Sequence, residues 1–341
     1  MAGDSMTQFR IQARAEYKTS LSETKSWSAR AMLFALLVGF LLTPQLSAVA
    51  NDAQKLPKPL VTNTSRATLC PLLPTFHPRI VSLAPSNTEL LYDIHAENEL
   101  VGVCSFCDYP EAAKKIERTG TFVSANLERM TRLKPSAILL VSGQEALQGL
   151  LEHNGFHVYL LKNIRLTDIG QNIEQLGQIT GNTSQAKDVD SRFSNALSSL
   201  RQILSTTKTQ PKVFYCVWPQ PLLTVGKNSF LDDVVTTCGA VNIAGDATAA
   251  YPHFSAEKLV LSDPDVIILP YEAHNKIDLK AAPWSLLRAV KQDKVYYLLE
   301  PEKNGLLRPT TRVISGLYWL CDKVHPELAP ELKIWYEKQT N

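Results

Sequence analysis

Short apolar runs alternate with stretches of helical periodicity along most of this chain. A helix buries residues that recur every three or four positions, whereas a strand covered on both faces reads as an uninterrupted apolar run. Seven such runs predict strands, at 79–83, 101–103, 138–141, 158–161, 212–218, 266–269 and 295–298. Buried strands that alternate with helices predict an α/β fold built on mainly parallel sheets.

One stretch between the fourth and fifth runs is longer than the others. Residues 183–208 contain no Gly or Pro, and six apolar side chains recur there at helical spacing: Val189, Phe193, Ala196, Leu197, Leu200 and Leu204. The alternation of strands and helices resumes after this stretch. We therefore predict two Rossmann-like lobes, at 79–182 and 209–330, joined by one long backbone helix and followed by a C-terminal tail at 331–341.

Two similar segments flank the predicted helix. Glu, Pro, Ile and Leu hold the same offsets in both, at Glu128, Pro135, Ile138 and Leu140 and again at Glu257, Pro264, Ile267 and Leu269. Each segment predicts an N-cap, a Glu in the first helical turn, a Pro break and a buried strand. The helix dipole favours such a carboxylate without any further role, but two on equivalent lobes would also suit docking onto a partner's arginines.

The first 50 residues have the composition of an export signal. Lys25 and Arg30 precede an apolar stretch at 32–42, and small residues at 48–50 suit a signal peptidase. We predict a signal peptide at 1–50, cleaved near Ala50, and a proline-rich leader at 51–78. The expected location of the mature protein is the periplasm.

Export changes how cysteines are interpreted, because an oxidising compartment favours disulfides. The chain has six: Cys70, Cys104, Cys107, Cys216, Cys238 and Cys321. Cys104 and Cys107 form a C-x-x-C motif in a predicted loop, where a structural role or a local disulfide is favoured over redox chemistry. His153 and His157 have the spacing of a metal pair, but Gly155 predicts a helix end between them, so metal binding is not predicted.

Composition and motifs exclude several classes of function. The net charge is only +2 with 45% apolar residues over 341 positions, and no dense basic run is present, which disfavours nucleic acid as a partner. Nucleophile-elbow, phosphate-loop and dinucleotide-binding motifs are absent from the sequence. We therefore predict a binding protein rather than an enzyme.

Six segments together resemble the periplasmic vitamin B12-binding proteins of ABC importers, within the helical-backbone class of substrate-binding proteins. The segments are 79–90, 101–110, 126–129, 225–229, 238–243 and 308–312. The resemblance covers about residues 79–326. It implies that cobalamin or a related corrinoid is the transported ligand, held between the lobes with no cofactor, and that the monomer delivers it to a permease and ATPase complex.

The resemblance also implies roles for single residues. Ligand contacts fall on Phe106, Phe122, Val217, Trp218 and Tyr251, and on the segment Asn304, Gly305, Leu306, Leu307 and Arg308. Glu128 and Glu257 match the two acidic residues that dock on permease arginines. Cys238 and Cys321 match a disulfide of the C-terminal lobe.

Other ligands of the same class remain alternatives. Haem would call for a Tyr or His ligand, for which Tyr251 and His253 are candidates. A ferric siderophore would call for basic residues facing the cleft, where only Arg308 stands out. The family pattern departs at Asn304 and Gly305, where an acidic and a large aromatic residue are expected, which leaves the exact corrinoid open.

Overall fold

The first sheet is formed by the N-terminal half of the chain. A computed structural model describes residues 77–340. The predicted signal peptide with its cleavage near Ala50, most of the leader and Cys70 lie outside the described residues. The strands are β1 (Ile80–Ser82), β2 (Leu100–Cys104), β3 (Arg118–Gly120), β4 (Ala137–Val141) and β5 (Val158–Leu161). They pair in the order β3-β2-β1-β4-β5, and every pair is parallel, as predicted.

The second sheet is mainly parallel and belongs to the other lobe. Its strands are β6 (Lys212–Pro219), β7 (Leu222–Thr224), β8 (Val241–Asn242), β9 (Val266–Pro270) and β10 (Val295–Leu298). The order is β10-β9-β6-β7, and β8 also pairs with β6. Only β7, which returns directly from β6, runs antiparallel. All seven predicted strands are present, and the α/β fold with two lobes is confirmed.

Helices cover both sheets. They are α1 (Pro85–Asp93), α2 (Leu127–Leu133), α3 (Glu145–His153), α4 (Leu166–Thr180), α5 (Thr183–Leu204), α6 (Phe230–Thr237), α7 (Ala256–Ser262), α8 (Arg288–Lys291), α9 (Glu302–Leu307), α10 (Val313–Val324) and α11 (Ala329–Thr340). Among these described helices, none has the length and apolarity needed to cross a membrane.

Helix α5 is the long helix predicted between the lobes. All six apolar residues predicted to form its buried stripe are buried, together with Ala186. They belong to one hydrophobic core that continues from the first sheet to one face of the second. Along β6, Val213 and Tyr215 join this core, whereas Phe214 and Cys216 join a smaller core on the opposite face. The alternation follows from the two-residue period of a strand, and the shared core makes α5 part of both lobes.

The segment predicted as a C-terminal tail belongs to helix α11. Trp335 of α11 is buried, and its indole Nε1 donates hydrogen bonds to the Ala196 carbonyl at 3.0 Å and to Ser199 Oγ at 3.1 Å on α5. Leu332 is buried beside it. The sequence does not predict this helix, because the polar residues of 331–341 hide a short apolar stripe. Helix α11 therefore braces α5.

Candidate functional site

Ligands of open parallel sheets bind at the carboxyl ends of the strands, where the strand order reverses. In the first sheet this reversal lies between β1 and β4. The structure places Phe106, Phe122 and Tyr251 on loops that follow strands. Val217 and Trp218 lie at the end of β6, and residues 304–307 lie on helix α9, which follows β10.

Phe106 lies in a tight turn that directly follows β2. The amide of Cys107 donates to the Cys104 carbonyl at 3.1 Å, and Arg118 Nη1 donates to the carbonyls of both cysteines at 2.9 Å. The two thiols are buried, with their Sγ atoms 2.9 Å apart, and Thr88 Oγ1 donates to Cys107 Sγ at 3.2 Å. The C-x-x-C motif thus forms the base of the turn. Phe106 itself is half-buried against the main core.

Phe122 lies at the tip of a second turn, after β3. The turn is closed by a hydrogen bond from the Thr121 amide to the Ser124 carbonyl at 2.8 Å. Gln144, which is buried, donates to the carbonyls of Phe122 and Leu83 and accepts from the Val141 amide. One side chain therefore fixes the loops after β1, β3 and β4. No motif marks Gln144 in the sequence, although its position just after a buried strand is a usable signal.

Val217 and Trp218 occupy the end of β6 in the other lobe. The Trp218 indole Nε1 donates to the Gln220 carbonyl at 2.8 Å, and Lys276 Nζ lies 4.2 Å from the centroid of the indole ring. Val217 packs against the main core. Tyr251 is 37% exposed on the loop that follows β8. These side chains lie at the carboxyl edge of the second sheet.

Some of the ligand contacts predicted on α9 are exposed to solvent, and others are buried. Leu307 is exposed and Asn304 is half-buried, but Leu306 is 0% exposed and belongs to the main core. A Cβ atom on Gly305 would lie 2.9 Å from Ser315 Oγ and 3.2 Å from the Gly316 amide, so this glycine permits the close packing of α9 on α10. The prediction of Leu306 as a ligand contact is therefore wrong. Gly305 serves helix packing.

Arg308, which follows α5 in the chain, contacts carboxylates on two segments that precede α5. Its Nη1 is 2.6 Å from Glu89 Oε1 of α1 and 2.8 Å from Asp108 Oδ1. Burial alone would lower the pKa of Arg308, but the hydrogen bonds to Asp108 and Glu89 raise it, so the charge is retained. In this conformation Arg308 is held by protein carboxylates.

Glu89 is the centre of this junction. Its side chain is 2% exposed, and it accepts from Arg308, from Thr310 Oγ1 at 3.2 Å and from Arg312 Nη1 at 3.4 Å. The Arg312 guanidinium also stacks over the Tyr109 ring at 3.9 Å. We call Glu89, Asp108, Arg308, Thr310 and Arg312 the inter-lobe latch. It joins the Phe106 loop and α1 of one lobe to the segment after α9.

Asp93 lies one turn beyond Glu89 and accepts a hydrogen bond from Thr311 Oγ1 at 2.7 Å. Burial raises the pKa of Asp93 from 3.8 to about 6; the Thr311 hydrogen bond opposes this rise and Glu89 adds to it. The folded protein therefore binds a proton here that the unfolded chain does not bind until lower pH.

This raised pKa gives a first prediction. Between about pH 7 and pH 5, wild-type stability should rise by about 1 kcal/mol relative to the Asp93→Asn variant, because protonation removes a penalised charge. Urea denaturation of both proteins at each pH measures the difference. A stability gap between the two proteins that stays constant over this range would contradict the assignment.

The two repeated segments have the same structure in both lobes. Asn126 Oδ1 accepts from the Arg129 amide at 2.9 Å, and Ser255 Oγ accepts from the Lys258 amide at 3.1 Å. Each helix has seven residues and ends on a left-handed residue followed by proline. Glu128 of α2 and Glu257 of α7 are thus equivalent, and both are exposed. The predicted internal repeat is confirmed.

The cysteines and histidines also have defined positions. Within residues 77–340 all five cysteines are free thiols. Cys238 and Cys321 are buried with their Sγ atoms 2.8 Å apart, so the disulfide predicted between them is absent from this structure although the two side chains are adjacent. Gly155, at φ +79°, follows the end of α3, and His153 and His157 therefore do not share a helical face.

Metal-binding groups and pockets do not mark the predicted site. In the described part of the chain, no group of three or more His, Cys, Asp or Glu side chains could hold a metal ion. Two pockets of about 360 Å³ and about 440 Å³ lie along α5. Neither is lined by a predicted ligand residue.

Comparisons with known proteins agree with this architecture. Residues 80–301 match the family model described as periplasmic binding protein. A vitamin B12-binding protein of Vibrio vulnificus is 31% identical over 248 residues, covering 72% of this chain and 89% of that protein. The crystal structure of the periplasmic vitamin B12-binding protein BtuF of Vibrio cholerae is 29% identical, with a TM-score of 0.64, and covers 76% of this chain and 97% of that one.

A haem-binding protein shares the fold as well. S. aureus IsdE complexed with haem is 22% identical, with a TM-score of 0.64, and covers 73% of this chain and 100% of that one. Members of the matched family bind solutes; they are not enzymes, and they carry a transported ligand rather than a cofactor. The match spans most of both lobes, and the chain belongs to the periplasmic binding protein family.

Proposed function

We propose that this protein captures cobalamin or a related corrinoid between its two lobes and delivers it to an ABC importer. The observation that carries the proposal is the set of aromatic side chains at the carboxyl edges of both sheets, in a chain whose relatives are named vitamin B12-binding proteins. Phe106 and Phe122 belong to one lobe, and Trp218 and Tyr251 to the other.

The chemistry of a corrinoid suits such a site. Its macrocycle presents a broad apolar face bordered by amide groups, which aromatic and aliphatic side chains can cover while a few polar groups fix the orientation. Binding requires no covalent step. Affinity depends on burial and preorganisation, and the latch and the core shared through α5 support preorganised lobes.

Haem and ferric siderophores are the alternative ligands. A siderophore is disfavoured, because Arg308, the basic residue predicted for it, is already paired with Glu89 and Asp108. For haem, Tyr251 and His253 are both exposed, and the backbone of His253 pairs with Leu223 of β7. The haem alternative has its own support in the shared fold of haem-binding relatives.

Delivery would use the two equivalent glutamates. Glu128 and Glu257 are exposed on matched helices, one in each lobe, and the backbone amide of Glu257 and the Ser255 hydroxyl lower the pKa of the Glu257 carboxyl. The two carboxylates would dock on permease arginines, which bind such groups through paired hydrogen bonds. We expect the mature protein to act in the periplasm as a monomer, after signal cleavage near Ala50.

A ligand panel tests the proposed function. The exported protein is titrated with cyanocobalamin, haemin and a ferric siderophore, and binding is followed by absorbance and by co-elution. We expect cyanocobalamin to bind at micromolar concentration or below, and Phe106→Ala to weaken it by about tenfold or more, as loss of an aromatic anchor does. The matched aromatic control is Tyr159→Ala, which changes an exposed residue of β5 and should leave binding unchanged.

Two outcomes would contradict the proposal. Absence of cyanocobalamin binding at micromolar concentration would exclude cobalamin as the ligand. Binding of haemin alone would instead assign the protein to the haem branch of the class.

A further inference from the structure

An aromatic cluster that no sequence pattern marks lies beside the proposed ligand site. The turn Tyr271–Asn275 directly follows β9. His274 of this turn stacks on Tyr297 of β10, with ring centroids 3.6 Å apart and planes at 15°, and Tyr271 meets the imidazole edge at 5.4 Å. The imidazole ring is nearly parallel to the Tyr297 ring, and His274 is exposed to solvent.

This turn contacts two of the segments proposed to bind ligand, the end of β6 and helix α9. On one side, Lys276 lies over the Trp218 indole, and Gln220 Nε2 donates to the Lys276 carbonyl at 3.2 Å. On the other side, Lys303 of α9 forms an ion pair with Glu272 at 3.2 Å. His274 therefore lies at the carboxyl edge of the second sheet, between the Trp218 turn and α9.

The nitrogens of His274 are not used by the protein. Within residues 77–340, neither ring nitrogen makes a hydrogen bond or an ion pair with another residue. A fixed, exposed imidazole with a free lone pair is suited to metal coordination, and imidazole is the commonest protein ligand for metal ions. The described part of the chain offers no cluster of further metal ligands beside it, so the remaining ligands would have to come with the metal.

We propose that His274 coordinates the central metal ion of a planar metallotetrapyrrole bound between the lobes. The imidazole lone pair replaces a water molecule at one axial position of the metal, and no electron is transferred. The inference rests on the proposed function, since it requires a macrocyclic ligand in the cleft. Cobalt corrinoids and iron porphyrins share this coordination chemistry, and the experiment distinguishes them.

The test compares ligands with and without an exchangeable axial position. Aquocobalamin and haemin each have one, whereas in cyanocobalamin cyanide and the nucleotide base occupy both axial positions. We expect the wild-type protein to shift the visible absorption bands of aquocobalamin. His274→Phe, which keeps a ring on Tyr297 but lacks the lone pair, should abolish the shift and weaken aquocobalamin about tenfold, the scale of a lost anchoring contact. Its affinity for cyanocobalamin should be unchanged.

The control is His153→Phe, which changes an exposed histidine at the end of α3 in the other lobe and should leave the shift intact. A band shift that persists in His274→Phe overturns the inference, and so does an equal loss of cyanocobalamin binding, which would make His274 a packing contact. A His274-dependent shift with haemin but not with aquocobalamin supports coordination while contradicting the corrinoid assignment. If no tetrapyrrole binds to the wild type, both the proposed function and this inference fail.

Discussion

Replacing Glu89 with alanine is expected to lower the free energy of unfolding by about 3–5 kcal/mol, the cost of removing one partner from a buried ion pair. Glu89 is 2% exposed and faces Arg308 and Arg312. Without it, Arg308 keeps Asp108 as its ion-pair partner, and Arg312 loses the carboxylate to which it is paired. The effect should exceed that of any single exposed charge, because these guanidinium groups cannot be fully hydrated at the junction.

Urea denaturation near neutral pH measures this loss. The matched control is Glu111→Ala, which breaks the exposed pair with Lys114 and should cost less than about 1 kcal/mol. The Glu89→Ala/Arg308→Ala double variant should be more stable than the two single losses added together, because it leaves fewer unpaired charges. If Glu89→Ala costs no more than Glu111→Ala, the latch does not hold the lobes.

The Glu128→Ala/Glu257→Ala double variant is expected to bind cyanocobalamin within about twofold of wild type, because exposed surface substitutions rarely change folded structure. Transport should fall by about tenfold or more, since each charge-assisted contact with a permease arginine contributes roughly 1.5–3 kcal/mol. Uptake of radiolabelled cyanocobalamin by cells that depend on this binding protein is the measurement.

Glu152→Ala is the control for this experiment, because Glu152 is an exposed glutamate at the end of α3, away from both repeated helices. It should leave uptake unchanged. Loss of ligand binding in the double variant would refute the docking roles of Glu128 and Glu257. Normal uptake would refute them as well.

The parts of the fold that could be predicted are those specified by local patterns. Uninterrupted apolar runs located the strands, and the spacing from Val189 to Leu204 located α5. The repeated segments were recognisable because N-cap, Glu, Pro and strand follow one another within a short stretch of chain, and both copies fold alike.

The latch could not be predicted, because it joins residues far apart in the chain. Glu89 and Arg308 are separated by 219 positions. Helix α1 begins at Pro85 without a side-chain cap, and the Glu89 carboxylate contacts the arginines. Local sequence cannot distinguish a capping carboxylate from the centre of a tertiary ion-pair network.

Burial decided the remaining differences at the site. The sequence places Leu306 and its neighbours in one segment, but a helical turn there directs Leu306 into the core while Leu307 remains exposed. His274 could not be predicted, because a single histidine carries no pattern of its own. Its significance comes from stacking on Tyr297, which is brought near it by the pairing of β9 with β10.

The central claim is that a corrinoid binds between the two lobes, and the crystal structure of the protein with cyanocobalamin tests it directly. We expect the corrin ring between the lobes, with atoms within about 4 Å of both Phe106 and Trp218, the distance of side-chain contact. Cyanocobalamin bound to one lobe alone, or in a pocket along α5, would contradict it.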